Sequence, residues 1–420
     1  MIITKEQLNN FKEGLPKRLT IDGKTKEYPS YLIPLKYLYY NNLNGRIATY
    51  IEEYNDKSDN EDLNELLKKD IDKYNDLISN FIKKSSNDNE ASFKKTKNDI
   101  EAKGQQNPGV ILSDGRIIDG NRRFTAIKEL YKEKGNDKFA YFEAVYLEAP
   151  RDDDKDGWKR IKTLELFLQF NVDEKKDYNR IDFLVSFYRD TIDPSTKMFD
   201  KKQYCYTSGI TTGDYDKNAN IIKIMLDYLE WRNKPKSFYI LKNEKLDGPI
   251  EDIASATKKM NDEEWASIKD YIYYYMTHVQ SGDRTRDIRE LVKSAKSNGS
   301  LYKKYKEIID TPETMIKLAK AVESKDAKIF TSDDSKKSEE LQIDVQKQLI
   351  DALETAKYQN RIEMANNEPV KLLDDVVNQI KKIDIAIIKN MDINQKNSIN
   401  SKIFDLEKTL NEIRKAIENE

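Results

Sequence analysis

Cysteine and histidine are nearly missing from this 420-residue chain, which has one of each, Cys205 and His278. A single cysteine excludes an intrachain disulfide and agrees with a reducing compartment. One of each cannot build a Cys/His zinc site within one chain, and a lone cysteine is more often a small buried hydrophobe than a nucleophile. A charge surplus is missing too. With 73 basic and 75 acidic side chains the net charge is −2. No global field draws such a chain to nucleic acid, so any DNA contact must use a local patch. Runs of about 18 apolar residues are absent, so no membrane-spanning helix is expected. The N-terminal MIITKEQLNNFKEG has no apolar stretch of the signal-peptide kind. A cytoplasmic location without a membrane partner is the expectation.

Hydrophobic residues are also scarce, at 38%, against about 45–50% in globular proteins. Charged residues make up 35%, against about 25%. This balance points to long solvated helices rather than disorder, because 25 Tyr and 14 Phe supply apolar surface that a disordered chain lacks. The length suggests two or three domains.

The pattern along the chain predicts an α+β fold, with a small mixed sheet in the N-terminal third followed by a mainly helical region. Residues 1–150 form the first predicted domain, with a helical insertion at 50–100. Residues 151–325 form a helical domain, and residues 326–420 a helical hairpin or coiled-coil element. Within the first, YLIPLKYLYYNNLNGRIATYI reads as an extended segment, a polar turn at Asn41–Gly45 and a helix start. Leu63, Leu66, Leu67, Ile71, Tyr74, Leu77, Ile78 and Ile82 recur at the spacing of one amphipathic helix. Residues 83–95 read as a loop by composition. In the last 80 residues, Ile380, Ile383, Ile387 and Ile388, then Ile399, Ile403, Leu406, Leu410, Ile413 and Ile417, recur at three- and four-residue spacing. Residues 150–157 and 325–340 read as charged joints.

The most informative stretch is residues 109–149. Val110–Leu112 is a short apolar run, Asp114-Gly115 a hairpin signal and Arg116–Ile118 a second strand. Asp119-Gly120-Asn121 then breaks the strand, and Phe124, Ala126, Ile127, Leu130 and Tyr131 fall on one helical face. FAYFEAVYLEA returns as a strand. Gly120 permits backbone angles denied to other residues. A helix beginning near Asn121 or Arg122 presents unpaired N–H groups and the positive end of its dipole, an anion site before any side chain is counted. Arg122 and Arg123 add guanidinium groups suited to phosphate oxygens. The plain alternative is a helix capped by Asp or Asn with two solvated arginines.

The segments KGQQNPGVIL, IIDGNRRFTAIKEL and YFEAVYLEA together resemble the N-terminal domain of the ParB/sulfiredoxin superfamily. In that family a Q-x-P entry precedes a strand, and a G-E-R-R-x-R-A box follows a hairpin and opens a helix. Gln105, Gln106 and Pro108 match the entry. Gly120 through Ala126 match the box, with Asn121 in place of Glu and Thr125 in place of the third basic residue. Asn44-Gly45-Arg46 stands for the family's N-P-x-x-x-R element. The resemblance implies a nucleoside triphosphate, CTP or ATP with Mg²⁺, held by Arg46, Gln106, Asp119, Gly120, Asn121, Arg122 and Arg123. It also implies a DNA-associated role in plasmid or phage maintenance or in defence against mobile elements. LELFLQFNVDEKKDYNR resembles the family's E-N-x-x-R segment with a departure. Aligned on Asn171, the metal-associated glutamate falls on Phe170 and the arginine on Glu174 or Lys175. Asn41, Asn42 and Asn44 stand where kinase-like members need an acid.

A second reading is a phosphotransferase or nuclease using the same loop. It requires a nearby carboxylate, for which Asp119 and Glu143 are the catalytic candidates, with Asp114 and Asp173 behind them. A third is a protein-interaction module acting, or self-associating, through the C-terminal helices. Residues 203–232 offer either a helix-turn-helix, presenting Asp216, Lys217 and Asn218, or a core element after a turn at Thr212-Gly213-Asp214. Arg284, Arg286 and Arg289 form a basic cluster whose simplest reading is a solvated face, and His278 reads as packed rather than catalytic.

Overall fold

The computed structural model describes residues 2–21, 23–56, 62–85, 89–171, 179–326 and 332–418. The fold is α+β, with its strands near the N-terminus and helices thereafter. The chain divides into two compact units, residues 1–350 and 351–420.

The first unit is organised by a five-stranded mixed sheet. Its strands are β3 (Ser30–Pro34), β4 (Tyr39–Tyr40), β5 (Gly109–Leu112), β6 (Arg116–Asp119) and β7 (Tyr141–Leu147), preceded by a separate hairpin of β1 (Lys17–Ile21) and β2 (Lys24–Tyr28). The order across the sheet is β3-β7-β5-β6-β4. β5 and β6 form the hairpin that Asp114-Gly115 predicts. Gly115 turns at φ 89°, where a Cβ would lie 2.1 Å from the Tyr37 carbonyl oxygen, so the turn requires glycine. The helix Asn121–Lys134 then carries the chain to β7, which pairs parallel with β5.

Successive strand residues go to opposite faces, as the period of two demands. Ile111, Ile117, Phe142 and Ala144 join one core cluster. Val110, Leu112, Ile118 and Val145 join the other. The sheet is therefore covered on both faces, which explains why its central strands read as continuous apolar runs rather than alternating ones. Phe124, Ala126, Ile127 and Leu130 of the helix Asn121–Lys134 are buried as predicted, but Tyr131 is 41% exposed, because its position turns off the packed stripe.

The predicted insertion is part of this core. The single amphipathic helix expected over Leu63 to Ile82 is corrected to two, Leu63–Lys69 and Ile71–Lys84, and a third helix, Asn89–Lys103, follows them. The break comes at Asp70, whose side chain caps the second helix at Lys73 N. The loop expected at 83–95 is largely helical as well. Lys83 at its start and Lys97 just beyond it reach Glu129 on the helix Asn121–Lys134, at 2.8 and 3.4 Å, so this charged stretch packs as helix rather than standing out as loop. Asn75 holds the edge strand β4 by accepting from Tyr40 N and donating to the Leu38 carbonyl. The opposite face is covered by the helix Lys155–Asn171, which begins inside the segment read as a charged joint and supplies Leu164 with Trp158, Ile161 and Leu168.

The rest of the first unit is helical, as expected. The turn predicted at Thr212–Asp214 is instead the first turn of the helix Thr212–Trp231, closed by a capping box between Thr211 and Asp214. Of the residues a DNA-reading helix would present there, Asn218 is buried and Asp216 pairs with Lys201 at 2.6 Å. The joint expected at 325–340 is helical from Ser332 onward, and residues 327–331 lie outside the described ones.

The helix Ser332–Ile380 contains the boundary between the units. The second unit continues with the helices Ile385–Lys389 and Ile393–Glu418. Among its described residues beyond Ala356 none is buried, and Ile383, Ile387, Ile403, Leu410 and Ile413 are all exposed. The predicted apolar positions fall on these helices except Ile383, which lies in the turn between Ile380 and Ile385 and breaks the expected spacing. Among the described residues no helix is long and apolar enough to cross a membrane.

Candidate functional site

Parallel pairing of β4 with β6, Tyr39 opposite Arg116 and Tyr40 opposite Ile117, brings the C-terminal ends of both strands to the same sheet edge. Carboxyl ends of strands are where open α/β sheets collect ligands. One strand ends in Asp119-Gly120 and the helix Asn121–Lys134. The other ends in the turn holding Asn44 and Arg46. A cavity of about 420 Å³ opens between them.

Gly120 makes the strand-to-helix turn at φ 94°, in the left-handed region. A Cβ there would lie 2.9 Å from Phe142 Cζ and 3.0 Å from Arg123 Nη2. Gly120 is also the residue that caps the helix, and it does so without a side-chain hydrogen bond. The cap expected from Asp119 or Asn121 is not made. The first helical N–H groups keep their donor capacity toward the cavity. Asn121 is 8% exposed and lines the cavity, yet its Oδ1 is buried without a hydrogen-bond partner. Arg123 Nε is in the same condition. Buried polar atoms are ordinarily paired, so two orphans at one site ask for a partner from outside the chain.

Asp119 acts as a clamp rather than a cap. Its Oδ2 accepts from Lys17 Nζ at 2.7 Å and from Arg123 Nη2 at 3.1 Å. Burial opposes its ionisation, but Arg123, Lys17 and the Gly120 N–H outweigh that and hold its carboxyl below the usual carboxylate range. Burial in turn pulls Lys17 below its ordinary value, against the pull of Asp119. On the other arm, Asn44 Oδ1 accepts from Arg46 N at 3.0 Å and caps the short turn Gly45–Ile47. Arg122 reaches Ser92 of the insertion at 3.3 Å.

The cavity lining unites six of the predicted residues: Arg46, Asp119, Gly120, Asn121, Arg122 and Arg123. Gln106 is outside it and donates to the Lys103 carbonyl. Glu143 is outside it too, where its Oε1 accepts from Leu15 N and Ser30 Oγ. Asp114 binds Tyr39 and Arg116 at the hairpin. Asp173, Glu174, Lys175 and the side chains of Phe170 and Asn171 lie outside the described residues.

Two charged residues of the lining escape the sequence reading. Lys17 arrives from β1, and the signal was there: Asp22-Gly23 between two short alternating runs is the same hairpin signature as Asp114-Gly115. Glu165 is the second, a single acid inside the apolar run LELFLQF, only 3% exposed. Burial raises its carboxyl above the usual range, opposed by Lys162 at 3.4 Å. Gln169 donates to its Oε1 at 3.1 Å. Among the described residues the lining thus sets four cations, Lys17, Arg46, Arg122 and Arg123, against two carboxylates, Asp119 and Glu165. The surplus favours an anion. Among the described residues no group of three or more His, Cys, Asp or Glu could hold a metal ion. Comparison with protein-family models, curated proteins and solved structures finds no match.

Proposed function

We propose that this chain is a ParB-like nucleotide-binding protein that works with DNA, and that the cavity at Asp119–Arg123 receives the phosphates. The observation that carries the reading is a helix N-terminus without a side-chain cap, opening on a positively charged cavity beside the buried, unpaired Arg123 Nε. Backbone N–H groups and guanidinium groups bind phosphate oxygens with charge-assisted hydrogen bonds. Arg122 and Arg123 would grip from the helix, Arg46 from across the cavity and Lys17 from the hairpin. Asp119, ionised and engaged by two cations, serves to hold them in place. CTP or ATP is the ligand the resemblance implies, with Mg²⁺ accompanying the triphosphate.

The test is calorimetry with CTP, ATP, GTP and their diphosphates, with and without Mg²⁺, on the wild type and Arg122→Ala. Binding that is lost in the variant and weakens as salt rises is the expected result. Unchanged affinity in Arg122→Ala would overturn the reading. DNA association follows from the resemblance and is read by mobility shift with and without the preferred nucleotide. A phosphotransferase or nuclease is the second reading, favoured by one observation: Glu165 places a buried carboxylate of raised pKa on the cavity wall. Release of inorganic phosphate or cleavage of DNA by the wild type and not by Glu165→Gln would decide for it.

A further inference from the structure

A second pocket of about 270 Å³ adjoins the phosphate cavity and shares two wall residues with it, Ile118 and Glu165. We infer that this pocket receives the base of the nucleotide whose phosphates occupy the first cavity; the inference rests on the phosphate reading above.

The volume comes first. Sites for whole drug-sized ligands run from about 300 to 1,000 Å³, so this pocket fits one ring system rather than an entire nucleotide. The two pockets share Ile118 and Glu165, and one nucleotide reaching past these two side chains would occupy both. The chemistry of the walls then divides the ligand. The first cavity is rich in cations. The second is mainly apolar, lined by Leu43, Trp158, Ile161 and Met198, with Arg116 and Lys162 as its cations. The Arg116 guanidinium lies 4.8 Å from the centroid of the Trp158 ring. Trp158 Nε1 donates to the Arg151 carbonyl at 3.1 Å, and Arg116 is held by Tyr39 and Asp114. The pair is therefore oriented before a ligand arrives. An indole and a guanidinium plane are the surfaces on which nucleobases stack, whatever the base. Glu165 stands where the two pockets meet and adds a hydrogen-bonding carboxyl at the edge of the stacked ring.

Inorganic tripolyphosphate separates this inference from the reading it rests on. It carries at least as much negative charge as a nucleoside triphosphate, so a purely electrostatic site would hold it as tightly. The expected result is that the best nucleoside triphosphate binds the wild type roughly tenfold or more tightly than tripolyphosphate, as one stacked base warrants. Trp158→Ala should close that gap while leaving tripolyphosphate binding unchanged, and Trp158→Phe should keep most of it. Equal affinity of wild type for the two ligands would overturn the base pocket and leave the phosphate site standing. Binding of neither would overturn the phosphate reading and this inference with it. The wild-type comparison needs no variant, so a Trp158→Ala chain that failed to fold would not rescue the proposal.

Discussion

Two arginine-rich segments, Asn121-Arg122-Arg123 and Arg284 through Arg289, look alike as sequence and have opposite surroundings. On the helix Arg284–Lys296, Arg289 makes a bidentate pair with Asp252 at 3.0 to 3.1 Å. Arg286 meets Glu290 at 3.1 Å, and Arg284 donates to the carbonyls of Glu244 and Lys245. Each guanidinium has a partner in its own chain. Around the helix Asn121–Lys134, cations outnumber carboxylates among the described residues of the cavity wall, and Arg123, paired with Asp119 through Nη2, keeps its Nε buried without a partner. The difference teaches that arginine density does not mark a ligand site. What marks it is positive charge gathered where the fold supplies too few acids.

The largest expected effect tests the helical side, where burial excludes charge. His278 is 3% exposed, with Nδ1 bonded to Gln342 at 2.8 Å and Nε2 unpaired. Burial lowers its pKa to about 4, with Gln342 opposing. The unfolded chain takes up this proton near pH 6.5, while the folded chain resists it. Stability from this group is therefore intact above pH 6.5 and is lost as pH falls toward 4, by about 3 kcal/mol. Urea unfolding of wild type and His278→Gln at pH 7 and pH 4.5 checks it. The variant should lose less on acidification, and parallel losses would refute the assignment.

Next is the ligand itself. At 100 times Kd a nucleotide stabilises the folded state by about 2.7 kcal/mol. Arg122→Ala with Arg123→Ala should remove all of that stabilisation in a thermal melt. Arg286→Ala with Arg289→Ala should remove none. Equal responses of the two pairs would break the comparison. A smaller effect comes from the turn. Gly120→Ala must hold a left-handed backbone against the Phe142 ring, at a cost of about 1–2 kcal/mol, read from the urea midpoint without ligand. Smallest of all, Arg286→Ala should leave the unfolding midpoint unchanged within error, since its single contact with Glu290 is an exposed ion pair one helical turn away.

Much of this was legible in the sequence. The β5–β6 hairpin, the glycine turn and the buried face of Phe124, Ile127 and Leu130 follow from local rules, because turn chemistry and helical period act over a few residues. The amphipathic period also located the insertion helices, but not their division, since the cap at Asp70 interrupts a stripe whose spacing continues across it. Glu165 stayed hidden for another reason. An acid in an apolar run reads as a surface position unless a buried cavity behind it is known. Lys17 needed a pairing over 102 residues to Asp119, which no local window contains.

That last contact has a kinetic side. The cavity wall takes its residues from five separated stretches: residue 17, residues 44–46, the insertion, residues 107–123 and the helix Lys155–Asn171. None of these holds a usable site alone. The chain must close loops of up to about a hundred residues before Asp119 meets Lys17, and such distant closures are the slow part of folding. Binding competence should therefore be among the last properties this protein acquires as it folds. A ligand resting on all five stretches would in turn tie the first strand to the far side of the sheet, a non-covalent clasp whose release is a step in unfolding.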